Sequence, residues 1–166
     1  MSRLFEPGTA FGDALLRWWR GLNDNRGDRA ELRRCEELLQ IMQTPAFQRI
    51  RRQLMDMGLK VQASERDRLA AVIGLAAHVT GADPARMPSL AEAFSEGDKP
   101  AVSPLRFRQL LDSRTDDELF IRLRRVLPLV KDRVNLFDLA NSVFYWGDGV
   151  RKRLIYDYRW PAKENA

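Results

Sequence analysis

The sequence predicts an all-α protein, and three observations carry that reading. Apolar residues recur at three- and four-residue spacing along most of the 166 residues, which is the mark of helices with one buried face. The pairs Thr44-Pro45 and Ser103-Pro104 are helix starts, each a capping hydroxyl followed by a proline at the first helical position. No segment alternates apolar and polar residues long enough to make a strand.

In chain order, the first helix is expected over 9–22, with Phe11, Leu15, Trp18 and Leu22 on its inner stripe. Gly21 and Asn23-Asp24-Asn25-Arg26-Gly27 form the turn behind it. Asp28 is read as the cap of a second helix over 29–42, with Leu32, Cys35, Leu38, Leu39 and Met42 inward and Arg29 and Arg33 outward. A third helix begins at Thr44-Pro45, buries Phe47, Ile50, Leu54 and Met57, turns Arg49 and Arg52 to solvent and stops at Gly58. From Ser64 the strongly apolar run through Leu69, Val72, Ile73, Leu75, Ala76 and Val79, ending near Gly81, is the expected central helix of the first half.

A short helix is expected near 88–95, and Ser95-Glu96-Gly97-Asp98-Lys99-Pro100 reads as a linker, being polar and carrying both helix breakers. The next helix runs from Ser103-Pro104 to about Asp112. Thr115 to Glu118 is a capping box, and the helix behind it aligns Leu119, Leu123, Val126 and Val130 until Pro128 kinks or ends it. Asn135 caps a helix with Leu136, Leu139, Val143 and Trp146 inward; Gly147-Asp148-Gly149 precedes a last helix over 150–159. The expected organisation is two small packed helical bundles, residues 1–97 and 103–166.

The formal charge is +5 with a sequence pI of about 9.8, a moderate excess that favours an anionic partner. It is uneven. Residues 1–60 hold 11 Lys and Arg against 8 Asp and Glu, residues 61–103 hold 4 against 6, and residues 104–160 hold 12 against 8. Of 28 cations, 23 are Arg, the residue better shaped for bidentate contact with phosphate. A GC-rich coding sequence produces the same ratio, so the bias alone does not decide. Four Trp and eight Phe supply enough buriable surface to argue against disorder. The lone Cys35 permits no internal disulfide, which fits a reducing cytoplasm. The N-terminus has no signal-peptide core, and no apolar run reaches the about 18 residues of a membrane span.

No reactive centre is visible. His78 is the one histidine, set in an apolar helix without an evident partner for acid–base work. One His and one Cys cannot assemble a zinc site or suggest a nucleophilic dyad. Glu36-Glu37 and Asp116-Asp117-Glu118 are the carboxylate clusters that a magnesium-dependent nuclease would use. The second, however, lies in a first helical turn, where acids complement the dipole, and Glu37 can pair with Arg33 one turn away. No phosphate-cradling glycine loop is present. Neither catalysis nor a cofactor is expected.

What remains is arginine. Arg29, Arg33 and Arg34 form one set, Arg49, Arg51 and Arg52 a second, Arg114, Arg122, Arg124 and Arg125 a third, and Arg151, Lys152 and Arg153 a fourth. Spacings of three or four gather such side chains on one helix face. The plainer alternative is a solvated surface with local ion pairs such as Arg33 with Glu37. As a collection the sets suit a phosphate backbone, which confers affinity and salt dependence but little sequence information. Trp18, Trp19, Tyr145 and Trp146 are candidate stacking surfaces. Trp18 and Trp146 fall on core stripes, leaving Trp19 and Tyr145 as the expected exposed aromatics.

These residues bring a family with them. Leu16-Arg17-Trp18-Trp19-Arg20-Gly21-Leu22, Gly27-Asp28-Arg29-Ala30-Glu31-Leu32-Arg33-Arg34 and Thr44-Pro45-Ala46-Phe47, followed by Phe107-Arg108-Gln109-Leu110-Leu111, Ser113-Arg114-Thr115, Leu123-Arg124-Arg125-Val126-Leu127 and Tyr145-Trp146-Gly147, resemble in order and spacing the CasB family, the small subunit of the type I-E CRISPR surveillance complex (Cascade). The basic last helix, from Val150-Arg151-Lys152-Arg153 to Tyr158, resembles the family tail. The resemblance implies an all-helical, two-part, non-catalytic subunit. It implies packing as two copies against the guide-RNA-bearing backbone subunits and the large subunit, with a basic surface that holds R-loop DNA, chiefly the displaced strand. Carried over by motif, the DNA contacts are Arg33, Arg34, Arg114, Arg124 and Arg125. Some members keep basic residues directly after Trp-Gly, where this chain has Asp148 and Gly149, so the direction of the Arg151-Lys152-Arg153 set stays open. So do two other readings: an architectural subunit whose arginines meet protein or guide RNA, and a helical regulator, which would need base-reading polar residues beside its arginines.

Overall fold

Ten helices follow one another in the computed structural model, which describes residues 3–163, and there is no strand among the described residues. The expected all-α class holds. The helices are α1 (Ala10–Gly21), α2 (Arg26–Arg34), α3 (Leu38–Met42), α4 (Pro45–Asp56), α5 (Arg66–Ala76), α6 (Leu90–Ser95), α7 (Pro104–Leu111), α8 (Asp116–Val126), α9 (Leu136–Phe144) and α10 (Asp148–Asp157). Short 3-10 turns precede α5 at Ala63–Glu65 and follow α8 at Leu127–Val130.

The local start signals act as the sequence predicts. Thr44, Ser103, Thr115 and Asn135 each accept a backbone N–H of the first turn, from Phe47, Arg106, Glu118 and Asp138 respectively. Such contacts satisfy donors that a helix start would otherwise leave unpaired. Ser89 does the same for α6 through Glu92. Pro128 ends α8 at Val126 and forces the tighter 3-10 turn, since a proline ring excludes the preceding α-helical hydrogen bond.

Four local expectations are corrected. The helix expected over 29–42 is two helices broken at Cys35-Glu36-Glu37, and Asp28 lies inside the first turn of α2 rather than capping it. The break follows the dipole: Arg33 and Arg34 close one helix at its negative end, and Glu36 and Glu37 lead into the positive start of the next. The inner stripe of α1 is Ala14, Leu15 and Trp19 rather than the one through Trp18, and Trp19 donates its indole N–H to the Val79 carbonyl at 3.1 Å. Trp19 is thus a core residue and not an exposed aromatic. Leu39 and Met57, expected inside, are exposed. The central helix stops at Ala76, although Ala77 and Val79 remain buried beyond it.

α5 is the axis of the fold. All of Leu69 to Ala76 is buried, so this helix is enclosed on every side. It packs most extensively on α9 and α8 and then on α3, with α2 and α4 also against it. Its place in the chain lies before the stretch between α6 and α7, while α8 and α9 follow that stretch, and the buried residues of both halves form one apolar cluster. Of the segment expected as a linker, residues 96–99 are exposed; two residues beyond it Val102 is fully buried, its N–H donates to Phe94 and its carbonyl accepts the Tyr158 hydroxyl at 2.7 Å. The N-terminal segment is tied down by Asn141, whose Oδ1 accepts the Phe5 N–H at 3.0 Å.

Gly74 lets the neighbours approach α5. A Cβ there would sit 2.7 Å from Ile41 Cδ1 and 3.0 Å from both Ile41 Cγ1 and a Phe120 ring carbon. Gly74→Ala gains about 1 kcal/mol of helix propensity but overpacks a fully buried site, at a cost of about 1–3 kcal/mol. The net expectation is a loss of about 1 kcal/mol, read as a lower denaturant midpoint at unchanged m-value.

The end of α5 carries a compact polar junction. Arg33 Nε donates to the Ala77 carbonyl at 2.7 Å, and Arg124 Nη2 donates to the Arg33 carbonyl at 3.1 Å. His78 lies within the electrostatic reach of both guanidinium groups, and its Nε2 finds no hydrogen-bond partner among the described residues. Burial first, then the charges of Arg124 and Arg33, lower its pKa to about 4. The unfolded chain therefore binds a proton near pH 6.5 that the folded chain refuses until about pH 4. Stability is complete above pH 6.5 and falls as the pH drops from 6.5 towards 4. Asp132 beside Arg33 and Asp116 beside Arg68 are raised by burial, which favours the folded state on protonation and acts in the opposite sense to His78 as the pH falls towards 3.8. His78→Gln is expected to flatten the stability profile between pH 6.5 and pH 4, measured by urea unfolding at a series of pH values. An unchanged slope in that variant counts against this assignment.

Candidate nucleic-acid interface

The arginines divide into those the fold consumes and those it leaves for a partner. Short helices leave four carbonyls unpaired at each C-terminal end, and a guanidinium with five donors in a planar fork suits such a cluster. Arg33 serves the end of α5 through Ala77, and Arg124 serves the last turn of α2 through the Arg33 carbonyl. Arg122 donates to Gln109 in the last turn of α7 at 2.7 Å. Arg151 reaches Leu111, the final residue of that helix, at 3.0 Å and Ser113 beyond it at 3.1 Å. Arg68 closes α9 through Phe144 at 3.1 Å and lies 3.5 Å from Asp116.

This corrects the expectation that Arg33, Arg122, Arg124, Arg151 and Arg153 face solvent. All five are half-buried. Arg153 pairs with Asp138 at 3.1 Å and donates to the Ser142 hydroxyl at 2.7 Å, against α9. Arg151 pairs with Asp148 at 3.2 Å and lies over the Trp146 ring, 5.5 Å from its centroid. Successive helical residues step about 100° around the axis, so Arg151 and Arg153 leave α10 in different directions and only Lys152 is fully exposed. The fourth set is not one patch. Arg49 is neutralised by Asp28, Arg29 donates to Asn23 at 3.3 Å, and Arg52 is exposed on α4, away from the groove formed by α7 and α8.

That groove gathers three of the arginines. It has a volume of about 510 Å³ and is lined by Arg106, Gln109, Arg122 and Arg125 over a floor of Leu110, Val126 and Leu129. No carboxylate among the described residues lines it; the carboxylate of Glu118 stands 4.0 Å from Arg122. The turn between α7 and α8 holds one end. Ser113 Oγ donates to Leu110 at 2.6 Å and accepts Arg122 at 3.4 Å. Thr115 caps α8, and the Arg114 backbone N–H donates to Glu118 Oε2 at 2.8 Å. These bonds fix the backbone of Ser113-Arg114-Thr115 and leave the Arg114 side chain exposed. The motif is a mount for one cation between two that are tied down, Arg122 and Arg151.

Arg125 has a second face. With Arg124, Ile121 and Gln40 it lines a cleft of about 460 Å³ whose opposite side carries Glu36 and Glu37. Arg34 is exposed at the adjoining end of α2. The structure therefore brings Arg106, Arg122 and Arg125 together in the groove, and Arg124 and Arg125 together in the second cleft. Arg106 was not among the sequence candidates. Its signal was present: one residue before the buried Phe107 and three before Gln109, it had to point away from the core.

Other chemistry is not assembled. Among the described residues no three His, Cys, Asp or Glu side chains gather as a metal ion would require, and no helix is long and apolar enough to cross a membrane. The Cys35 thiol is pushed up, first by burial and then by Glu31, which disfavours the nucleophilic thiolate. Tyr145 is exposed as expected, its hydroxyl accepting the Leu4 N–H at 3.1 Å.

No curated protein matches the chain in sequence at a significant level. Among solved structures it is similar to a chain of the crystal structure of E. coli Cascade bound to a PAM-containing dsDNA target, with a TM-score of 0.65 and 22% identity, over 88% of this chain and 92% of that one. At that identity the likeness establishes the fold. The profile of the family described as CRISPR-associated protein Cse2 matches residues 28–158, which include the break after α2, the Ser113-Arg114-Thr115 turn and both faces of α8. The chain belongs to the CRISPR-associated Cse2 family, also called CasB, to which the order of its arginine and tryptophan motifs pointed.

Proposed function

We propose that the chain is a non-catalytic small subunit of a type I-E CRISPR surveillance complex, working in the cytoplasm in antiviral defence, and that it stabilises the R-loop by gripping DNA phosphates. The displaced strand is the chief ligand, and α8 with the α7–α8 turn is the gripping surface. The observation that carries this reading is the convergence of Arg106, Arg122 and Arg125 on one open groove that no carboxylate lines among the described residues, with Arg114 exposed in the turn next to the Ser113 that bonds Arg122. Family membership and the fold shared with a chain of a DNA-bound Cascade support it. The energetics suit the task. Guide pairing selects the sequence, and exchange of one duplex for another is nearly balanced, so a few guanidinium–phosphate contacts shift the equilibrium without reading bases.

Reversing Arg114 and Arg125 together to Glu is expected to weaken R-loop stability at moderate salt by at least tenfold. For every phosphate no longer neutralised, the slope of log K against log salt becomes shallower by about 0.7–0.9. The measurement is R-loop lifetime in the assembled complex across a salt series; wild-type lifetimes in the double variant exclude the proposal. The consumed arginines behave differently. Arg33→Ala and Arg124→Ala are expected to lower unfolding stability by about 1.5–3 kcal/mol, the range for a hydrogen bond from a charged donor. Arg106→Ala and Arg125→Ala are expected to stay within about 0.5 kcal/mol of wild type, as surface changes do. Denaturant midpoints of the four variants separate the two classes.

A second reading has one observation in its favour: the cleft where Glu36 and Glu37 face Arg124 and Arg125 carries both signs of charge, as a protein-facing surface does. In that reading the backbone subunits, the large subunit, a second copy of the chain or guide RNA cover α8. A crosslinking map of the complex with no DNA adduct on α7, α8 or their turn decides for it.

A further inference from the structure

The outer face of α10 carries a feature that the arginine groove does not use. Tyr156 is 90% exposed, the most open of the large hydrophobic side chains among the described residues, and contributes almost nothing to the core. Lys152, also exposed, lies one helical turn before it on the same face. The chain then folds back at Tyr158, which is buried, stacks on Phe107 at 4.1 Å with the rings 8° apart, and donates its hydroxyl to Val102. This anchor places Trp160 beside the same turn: its indole N–H donates to the Ile155 carbonyl at 3.0 Å. The Trp160 ring stands edge-on to Tyr158 and Phe107, remains 37% exposed, and carries the Arg108 guanidinium 5.3 Å from its centroid. An open phenol ring and a half-open indole thus sit near the end of α10, where the exposed cations are Lys152 and Arg159 and the exposed carboxylates among the described residues of the helix are Asp148 and Asp157. Asp148, one turn before Lys152, is already paired with Arg151.

We propose that Tyr156, with Lys152 one helical turn before it, is a stacking site for unpaired nucleobases of a single strand. The proposal rests on the reading of the chain as a binder of DNA phosphates and adds a contact to the bases themselves. A base offers a flat apolar face joined to a phosphate, matching a ring with an ammonium one turn away, and such stacking tolerates any sequence. A duplex hides its base faces, so the site distinguishes the displaced strand from paired DNA.

The test compares fluorescently labelled oligo-dT with an abasic oligonucleotide of equal length, bound by the purified full-length chain at low salt. Both carry the same phosphates and only the first carries bases. The wild type is expected to bind oligo-dT about tenfold more tightly, the effect of one stacked base. Tyr156→Ala is expected to abolish that preference while leaving abasic affinity unchanged, and Tyr156→Phe to retain it. Arg125→Glu weakens both ligands alike. Equal wild-type affinity for the two ligands, or a preference that survives Tyr156→Ala, overturns the stacking site and leaves the phosphate reading intact. Binding of neither ligand overturns both. Unaltered oligo-dT binding in Tyr156→Ala, with reduced incorporation of that variant into the assembled complex, assigns the ring to a protein neighbour and overturns the proposal.

Discussion

The unpaired carbonyls at the C-terminal ends of short helices are the constraint on which the rest of this structure depends. α2 and α9 have nine residues, α7 has eight and α5 eleven, so unpaired ends are a large share of each. Packing of other elements against those ends restricts their access to water, and a carbonyl left unsatisfied there costs free energy. The chain answers with arginine from another element: Arg33 on α5, Arg124 on α2, Arg122 and Arg151 on α7, Arg68 on α9. Each bond also places a positive charge at the negative end of a helix dipole, and each spans two elements, so the same groups that satisfy carbonyls set how the helices pack.

This use of arginine changes what the net charge of +5 signifies. Part of the positive charge is internal, and its effects show on its neighbours. His78, placed beside Arg33 and Arg124, is held neutral far below its usual range. Asp132 and Asp116 resist ionisation through burial even with Arg33 and Arg68 beside them. The charge left for a partner is smaller than the arginine count and is focused rather than spread: Arg106, Arg114 and Arg125 are exposed along α7, α8 and their turn, with Arg122 held beside them. One element thereby does two jobs. Arg124 locks α8 to α2, while Arg125, the next residue, is exposed, so an open guanidinium is mounted on a helix fixed to the core.

Much of the architecture was legible in the sequence because its signals are local. The caps at Thr44, Ser103, Thr115 and Asn135 and the stop at Pro128 depend on a few adjacent residues, and they act in the fold as chemistry dictates. The break after Arg34 was legible in principle, since basic residues followed by acidic ones is the charge order of one helix ending and another starting. The uninterrupted apolar spacing from Leu32 to Met42 masked it. The stripe of α1 was misplaced for a related reason: Trp18 and Trp19 are equally apolar, and only the Val79 carbonyl, sixty residues away, selects Trp19 for the interior.

By itself the sequence determined the helical class, most helix starts and the family, because periodicity, caps and motif order are properties of neighbouring residues. Which arginines remain available to a partner was decided only by tertiary structure. Arg124 and Arg125 are chemically identical and adjacent, yet one donates to a carbonyl ninety-one positions away and the other meets solvent. The difference lies in where a distant helix ends, and no pattern along the chain encodes that distance.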